Sequence, residues 1–203
     1  MNKPLIFLSI ILLFMWGYYQ WNGSFGLPPK YVTLSEGINI NCEPIQQKST
    51  TTDFIILIKD KKTKIVPLFD IIIIGVVRCV KEAPFLRDIV VKSCVISWGQ
   101  ANREEIQKQI HWGKLGGFSY ESEKTANIVR ENFSNFYLIG ANDNLKKAIS
   151  KIKEGQYICV KGYQVDVFHP DGNWVMEPPI RIRTDMCNMI WVTELIIENK
   201  SFQ

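Results

Sequence analysis

The stretch Tyr157-Ile-Cys-Val-Lys-Gly-Tyr-Gln-Val-Asp-Val-Phe168 decides the fold of this chain. Apolar and polar side chains alternate on either side of Gly162, which is the pattern of a half-buried β-strand. A glycine in the middle of a strand permits a bend. The stretch therefore predicts a long, curved strand within a small sheet.

Segments rich in Ile and Val predict further strands around this one, at 54–58, 65–69, 71–80, 89–97 and 189–197, with a short strand at 174–176. Helical patterns cover 102–110 and 142–153, and Asn142 or Asp143 is suited to cap the second helix. The expected fold class is α+β, with a mainly antiparallel curved sheet or a small, partly closed barrel and two or three helices. The oligonucleotide/oligosaccharide-binding barrel is one such architecture.

An apolar run near the start of the chain predicts a membrane segment. Leu5–Trp21 contains no charged residue and gives about 17 residues, near the lower limit for a transmembrane helix. A cleaved signal peptide is the alternative. The aromatic sequence at 16–21 lacks the small residues of a cleavage site and suits a membrane interface. We therefore expect one N-terminal transmembrane helix, with the N-terminus cytoplasmic and the remainder periplasmic or otherwise extracytoplasmic.

The rest of the chain divides by composition. Residues 22–52 contain Gly, Pro, Ser and Thr with little periodicity, which is typical of a tether. Residues 53–203 have the length of a single globular α+β domain. The expected organisation is an anchor at 1–21, a tether at 22–52 and one domain at 53–203.

Charge and cysteine spacing argue against several kinds of site. The chain has 24 basic and 20 acidic residues, which leave no strong electrostatic footprint for nucleic acid. The five cysteines form no C-x-x-C pair and have no nearby histidine at zinc spacing, so no metal site is expected. No phosphate-binding glycine loop is present in the sequence, and no cofactor is expected. Four of them could pair in an oxidising compartment, with the connectivity open. Cys79, Cys94 and Cys159 lie in apolar strand patterns typical of small buried side chains.

Several landmarks lie between about residue 65 and residue 198: Ile96-Ser-Trp-Gly99, Asn135-Phe-Tyr-Leu-Ile-Gly-Ala-Asn142, Val160-Lys-Gly-Tyr163, Trp174, Arg183-Thr-Asp185 and Cys187. Together they resemble an uncharacterised family of bacterial proteins, many of which have an N-terminal membrane segment. The family pattern runs Trp-Gly, Asn-x-His-Leu-Ile-Pro-Ala, Arg-x-Asp and Cys-Glu. The resemblance implies a bacterial inner-membrane protein whose folded domain lies in the cell envelope.

The chain departs from that family pattern at chemically important positions. Tyr137 stands in place of its histidine, Gly140 in place of its proline and Asn188 in place of its glutamate. Glu177 and Pro178 stand where the pattern has serines. The resemblance therefore implies a related fold and carries no mechanism.

The candidate catalytic residues are Asp185 and Cys187, with His169 as a possible base. A nucleophilic thiolate needs a base and an electropositive setting, and Arg183 is a nearby cation. The alternative is structural: Arg183 and Asp185 form a local ion pair, and Cys187 packs against Trp191.

Trp98, Tyr137, Trp174 and Arg183 are the candidate ligand-binding residues, because aromatic rings and guanidinium groups offer stacking surfaces. Large aromatic side chains are otherwise typical of a core.

Two functions follow from these patterns. The preferred hypothesis is a non-catalytic binding or assembly domain, anchored through residues 5–21, which holds a protein partner or a small ligand in the envelope. The alternative is an envelope hydrolase or thiol enzyme that uses Asp185 and Cys187.

Overall fold

A computed structural model describes residues 29–33, 42–58, 61–82, 88–113, 116–168, 174–176 and 187–203, with only the backbone at 58, 61, 174–176 and 187. These residues form mostly sheet. The strands are β1 (Val32–Thr33), β2 (Ile45–Lys48), β3 (Phe54–Ile58), β4 (Lys61–Lys81), β5 (Lys92–Ser97), β6 (Ile110–Trp112), β7 (Phe118–Tyr120), β8 (Phe133–Gly140), β9 (Tyr157–Phe168), β10 (Trp174–Met176), β11 (Cys187–Ile197) and β12 (Lys200–Phe202). The helices are α1 (Glu104–Gln107), α2 (Glu123–Glu131) and α3 (Asp143–Ser150), and a 3-10 turn covers Gly99–Asn102.

Five strands, β4, β5, β8, β11 and β9, pair in a closed circuit that we call the five-strand ring. Each strand pairs with the next in that order, and β9 returns to β4. The β8–β11 pair is parallel, and the other pairs are antiparallel. The predicted α+β class is therefore found as a curled, mixed sheet with three helices in the described part of the chain.

The mid-strand glycine of β9 lies where the ring closes. Gly162 pairs with Ile71 of β4 on one side and with Val192 of β11 on the other. A Cβ atom at Gly162 would collide with the carbonyl oxygen of Trp191. The register of β11 also shifts between Val192 and Glu194, which adds local twist. The glycine thus allows the two backbones to approach closely.

The inside of the ring is the main hydrophobic core, which we call the inner core. Side chains that alternate along the ring strands fill it, and Phe136 and Ile190 are fully buried there. Helix α3 adds Leu145, Ala148 and Ile149 to the same core. The side chain of Asn142 caps this helix by accepting a hydrogen bond from the Leu145 N–H at 2.9 Å, so the predicted cap is confirmed.

A second cluster, the outer core, lies on the other face of the ring strands. The hairpin formed by β3 and the first part of β4 packs there, and the Phe54 ring meets the Trp191 ring edge-on at a centroid distance of 5.1 Å. Met189 and Val165 of the ring are fully buried in this cluster. Strands such as β9 are therefore apolar on both faces over part of their length.

Residues 99–132 form an insertion between β5 and β8. It contains α1, the β6–β7 hairpin and α2 around a small core of Ala101, Ile110 and Val129. The helix predicted at 102–110 is wrong in extent, because the α-helix covers only Glu104–Gln107 and Ile110 opens β6. Ile110 is buried, and in the hairpin it pairs with Tyr120 of β7.

The predicted membrane anchor, residues 1–21, lies outside the described residues. None of the described helices has both the length and the apolar character needed to cross a membrane. Part of the predicted tether at 22–52 is described and belongs to the sheet. Strand β1 pairs with β12, and strand β2 pairs with β4.

Candidate functional site

The sequence-predicted catalytic residues fall mostly outside the described structure. Asp185, His169 and Arg183 lie in the undescribed segments 177–186 and 169–173. The backbone of Cys187 opens β11, opposite Asn135 of β8. The proximity of these side chains therefore stays a prediction.

The sequence-predicted ligand-binding aromatics lie on different faces of the ring. Trp98 is 3% exposed and packs in the inner core, with its ring 6.3 Å from that of Phe136. Its indole Nε1 atom is buried and has no hydrogen-bond partner within the described ranges. Tyr137 is half-buried against the outer core. For Trp174 the backbone is described, and it pairs with Phe168. Trp98 and Tyr137 thus do not form one stacking surface.

Three of the described cysteines, Cys79, Cys94 and Cys159, are buried, and Cys42 is exposed. Burial raises the pKa of Cys94 to about 12 and that of Cys159 to about 11, and it also raises the pKa of Cys79. A thiol with a raised pKa stays protonated at neutral pH and is a poor nucleophile. These three cysteines therefore act as small apolar side chains, in agreement with their sequence context.

An open groove of about 430 Å³ lies on the outer face of the sheet, where β2, β4, β9 and β11 run side by side. It is the candidate functional site. Two isoleucines, Ile45 and Ile72, and the aromatic Tyr163 give it apolar surface. Ile45 is 56% exposed and so contributes apolar surface to the groove. Such surface next to polar groups is typical of a binding site.

Opposite charges line the same groove. Asp70 of β4 accepts hydrogen bonds from the Ser49 hydroxyl at 2.6 Å and from the Gln47 amide at 3.5 Å. Across the groove, the Lys161 ammonium of β9 lies 3.0 Å from the Glu194 carboxylate. Both charged groups are held by neighbours and remain partly exposed, so they present fixed polar contacts to a bound molecule. The arrangement suits a ligand with both apolar and charged groups.

A chain of hydrogen-bonded polar side chains, which we call the amide relay, links three of the strands that line this groove. Gln46 of β2 donates to Gln164 Oε1 at 2.5 Å, and Gln164 donates to Asn188 Oδ1 at 3.2 Å. Asn188 in turn donates to the Ser134 hydroxyl at 2.8 Å. Gln164, Asn188 and Ser134 are each 0% exposed. The relay therefore connects β2 to β9, β11 and β8 through the interior of the ring.

A second groove, of about 420 Å³, lies where β1 meets β12 and is lined by Lys30, Tyr31 and Asn144. The first groove is the better candidate, because its lining residues belong to strands of the ring or to β2, which pairs with the ring.

Sequence reasoning missed the groove residues Asp70, Lys161 and Tyr163. A weak signal was present, because Asp70 and Lys161 are polar residues within runs of Ile and Val and must point away from an apolar core. Their meeting on one face depends on the pairing of β4 with β9, which periodicity does not give.

The described residues contain no cluster of three His, Cys, Asp or Glu side chains that could hold a metal ion. Comparison with protein-family models, with curated proteins and with solved structures found no match to this chain.

Proposed function

We propose that this protein is a non-catalytic binding domain of the bacterial cell envelope, which holds a segment of a partner protein in the groove lined by Ile45, Asp70, Lys161 and Tyr163. The single observation that carries the proposal is that groove, with its exposed apolar surface and its fixed opposite charges. A protein segment supplies both kinds of complementary group. The buried, protonated thiols support a binding role over thiol chemistry at the described cysteines.

Strand β2 adds a second reason to favour a polypeptide partner. Within the described part of the chain β2 pairs with β4 alone. A strand edge offers main-chain donors and acceptors to an extended peptide, which can add to the sheet as a further strand. A peptide at this edge would rest its side chains against Ile45 and Gln47, at the mouth of the groove.

The order of the ring supports an oligonucleotide/oligosaccharide-binding barrel as the fold. If the five ring strands are numbered by their order in the chain, as β4, β5, β8, β9 and β11, their order around the ring is first, second, third, fifth, fourth. Helix α3 lies between the third and the fourth of them in the chain. Such barrels often bind ligands on the face of the second and third strands. Here the outward residues of the second strand, Ser93, Val95 and Ser97, are at most 2% exposed. The covered face favours a partner elsewhere on the barrel and does not favour nucleic acid.

Site-specific photo-crosslinking in native membranes tests the binding proposal. A photoreactive phenylalanine analogue replaces Tyr163 in the groove, and the matched control carries the same analogue at Lys147, an exposed position on α3. We expect a discrete crosslinked protein from position 163 that is absent from position 147 and is reduced by Asp70→Lys. Absence of any adduct at position 163, or the same adduct at both positions, would contradict the proposal.

The envelope location rests on the apolar run at Leu5–Trp21 and on the resemblance to membrane-anchored bacterial proteins. Fractionation of cells that express the full chain, or a chain that begins at residue 23, tests it. We expect the full chain to resist alkaline carbonate extraction and the shortened chain to be released. External protease should digest the full chain in spheroplasts, and protection in intact spheroplasts would place the domain on the other side of the membrane.

A further inference from the structure

Arg78 lies at an irregularity of β4 far from the groove. Val77 pairs with Ile96 of β5 and Cys79 pairs with Val95, so Arg78 is an extra residue without a cross-strand partner. A bulge of this kind changes the direction of a side chain, and bulges occur often beside functional sites. Arg78 is six residues from Ile72, about 20 Å along an extended strand. The two places on β4 are therefore separate.

The Arg78 guanidinium is held on one edge and on one face by neutral groups. Its Nε donates to the Ser97 hydroxyl at 2.6 Å, and its Nη2 donates to Asn102 Oδ1 at 2.9 Å. The Trp112 ring lies beneath it, with 5.7 Å between Cζ and the ring centroid. These contacts fix the plane of the group. They use two of its five N–H donors.

The remaining donors of Arg78 lie on the Nη1–Nη2 edge. Among the described residues no carboxylate lies within 4.0 Å of this guanidinium, and Nη1 has no acceptor. That edge is the fork that binds two oxygens of a carboxylate or phosphate at once. Arg78 is partly buried, and burial lowers its pKa to about 10, so the group remains a cation at neutral pH. A partly desolvated cation without a counter-charge carries an energetic cost that a bound anion would offset.

Arg130 provides a contrast within the same chain. Its guanidinium stacks on the Tyr120 ring with 5.5 Å from Cζ to the centroid, much as Arg78 stacks on Trp112. The Glu123 carboxylate lies 3.1 Å from Arg130 Nη1. Both arginines are therefore fixed on an aromatic ring, but the charge of Arg130 is satisfied from within the chain. The charge of Arg78 is surrounded by neutral acceptors.

From this contrast we propose that Arg78, fixed by Ser97, Asn102 and Trp112, is a binding site for an oxyanion group, a phosphate or a carboxylate, of a small ligand. The neutral hydroxyl and amide hold the cation in place without neutralising it. The Trp112 face blocks one side of the guanidinium, which leaves the Nη1–Nη2 edge for the ligand.

Arginine side-chain NMR on the full chain in a mild detergent tests this site. The chain has six arginines, so selective labelling gives a simple spectrum. Sodium phosphate, sodium acetate and glycerol 1-phosphate are titrated separately at constant ionic strength against sodium chloride. We expect a saturable shift of the Arg78 Nε–H signal with at least one of these anions and no saturable shift at Arg130.

The pattern of responses identifies the ligand class. Saturation by phosphate alone indicates free phosphate, tighter saturation by glycerol 1-phosphate indicates a phosphate ester such as a lipid headgroup, and saturation by acetate indicates a carboxylate. Arg78→Lys keeps the charge and removes the fork, and we expect it to raise the apparent dissociation constant by about tenfold or more. The titration of the unsubstituted chain tests the proposal by itself, even if that variant fails to fold. No saturation by any of the three anions, or an equal response at Arg130, would overturn the proposal.

Discussion

The amide relay makes a quantitative prediction for Asn188→Ala. The substitution breaks three hydrogen bonds: one accepted from Gln164 at 3.2 Å, one donated to Ser134 at 2.8 Å and one donated to the Asn135 carbonyl at 3.4 Å. Asn188 is 0% exposed, so bulk water does not reach the groups that it leaves behind. A lost hydrogen bond costs about 0.5–1.5 kcal/mol, and a buried group left unsatisfied costs about 1–3 kcal/mol. We expect the free energy of unfolding to fall by about 2–5 kcal/mol.

Urea denaturation followed by tryptophan fluorescence measures this loss. The matched control is Asn127→Ala on α2, where the side chain is exposed and accepts from Arg130 at 3.0 Å. Exposed substitutions of that kind change stability by less than about 0.5 kcal/mol. A loss below about 1 kcal/mol for Asn188→Ala, with an unchanged denaturant slope, would refute the reasoning, because it would mean that the relay contributes no more than surface contacts.

A double-mutant cycle tests whether the relay acts as one unit. Gln46 and Asn188 do not bond each other, but each bonds Gln164. If the relay is continuous, the effects of Gln46→Ala and Asn188→Ala should differ from additivity by about 0.5 kcal/mol or more. Additive effects would show that β2 is held independently of the inside of the ring.

Three further predictions concern the ring and its cysteines. Gly162→Ala should lower the free energy of unfolding by about 1–3 kcal/mol, because the new Cβ atom collides with the Trp191 carbonyl. Gly117→Ala is the control, because a Cβ atom there would have no neighbouring atom within 4 Å. Equal urea midpoints for the two variants would contradict the expected collision. Burial raises the pKa of the Cys94 thiol from 9.0 to about 12. The stability that the buried, protonated thiol contributes is therefore fully present below pH 9 and is lost as the pH rises towards 12, at up to about 1.4 kcal/mol per pH unit. Cys94→Ala should flatten this decline in urea denaturation measured at alkaline pH, and an unchanged decline would exclude the thiol as its cause. Iodoacetamide near pH 7 should label Cys187 no faster than the exposed Cys42, whereas much faster labelling would favour the thiol-enzyme alternative.

The strands were the most predictable part of the fold. Ile/Val-rich segments mark β3 at its observed bounds, and the alternation around Gly162 marks β9. The segments predicted at 65–69 and 71–80 are one strand, β4, because Asp70 lies on the outward face and does not interrupt the pairing with β9. A single outward-facing carboxylate therefore interrupts the apolar pattern of the sequence, although the strand continues through it.

The helices were less predictable. The pattern at 142–153 corresponds to α3, whose apolar stripe packs on the inner core. Helix α2 was missed, although the Ser122 side chain accepts from the Thr125 N–H at 3.2 Å as an ordinary N-cap. The segment carries four charged residues within Glu123–Glu131, and its buried side is narrow. A short helix with few apolar positions gives little periodic signal.

The candidate site could not be derived from the sequence for a geometric reason. The groove takes residues from 45–47, 70–72 and 161–163 together with Thr193, and these meet only through cross-strand pairing. The bulge at Arg78 depends on a register shift between β4 and β5. Neither feature produces a local pattern in the sequence. Both depend on the register of strand pairing, which the sequence pattern does not give.

The closure of the ring by β11 has a consequence for the order of events during synthesis. Strand β11 pairs with both β8 and β9, which precede it in the chain by some twenty to fifty residues. Until residues 187–197 have left the ribosome, β8 and β9 each have an edge without its final neighbour, and such edges invite pairing with other chains. The earlier strands can pair with one another as they emerge, but the ring closes only when β11 joins β8 to β9. A nascent chain in this state is therefore most exposed to aggregation before its closing strand has been made.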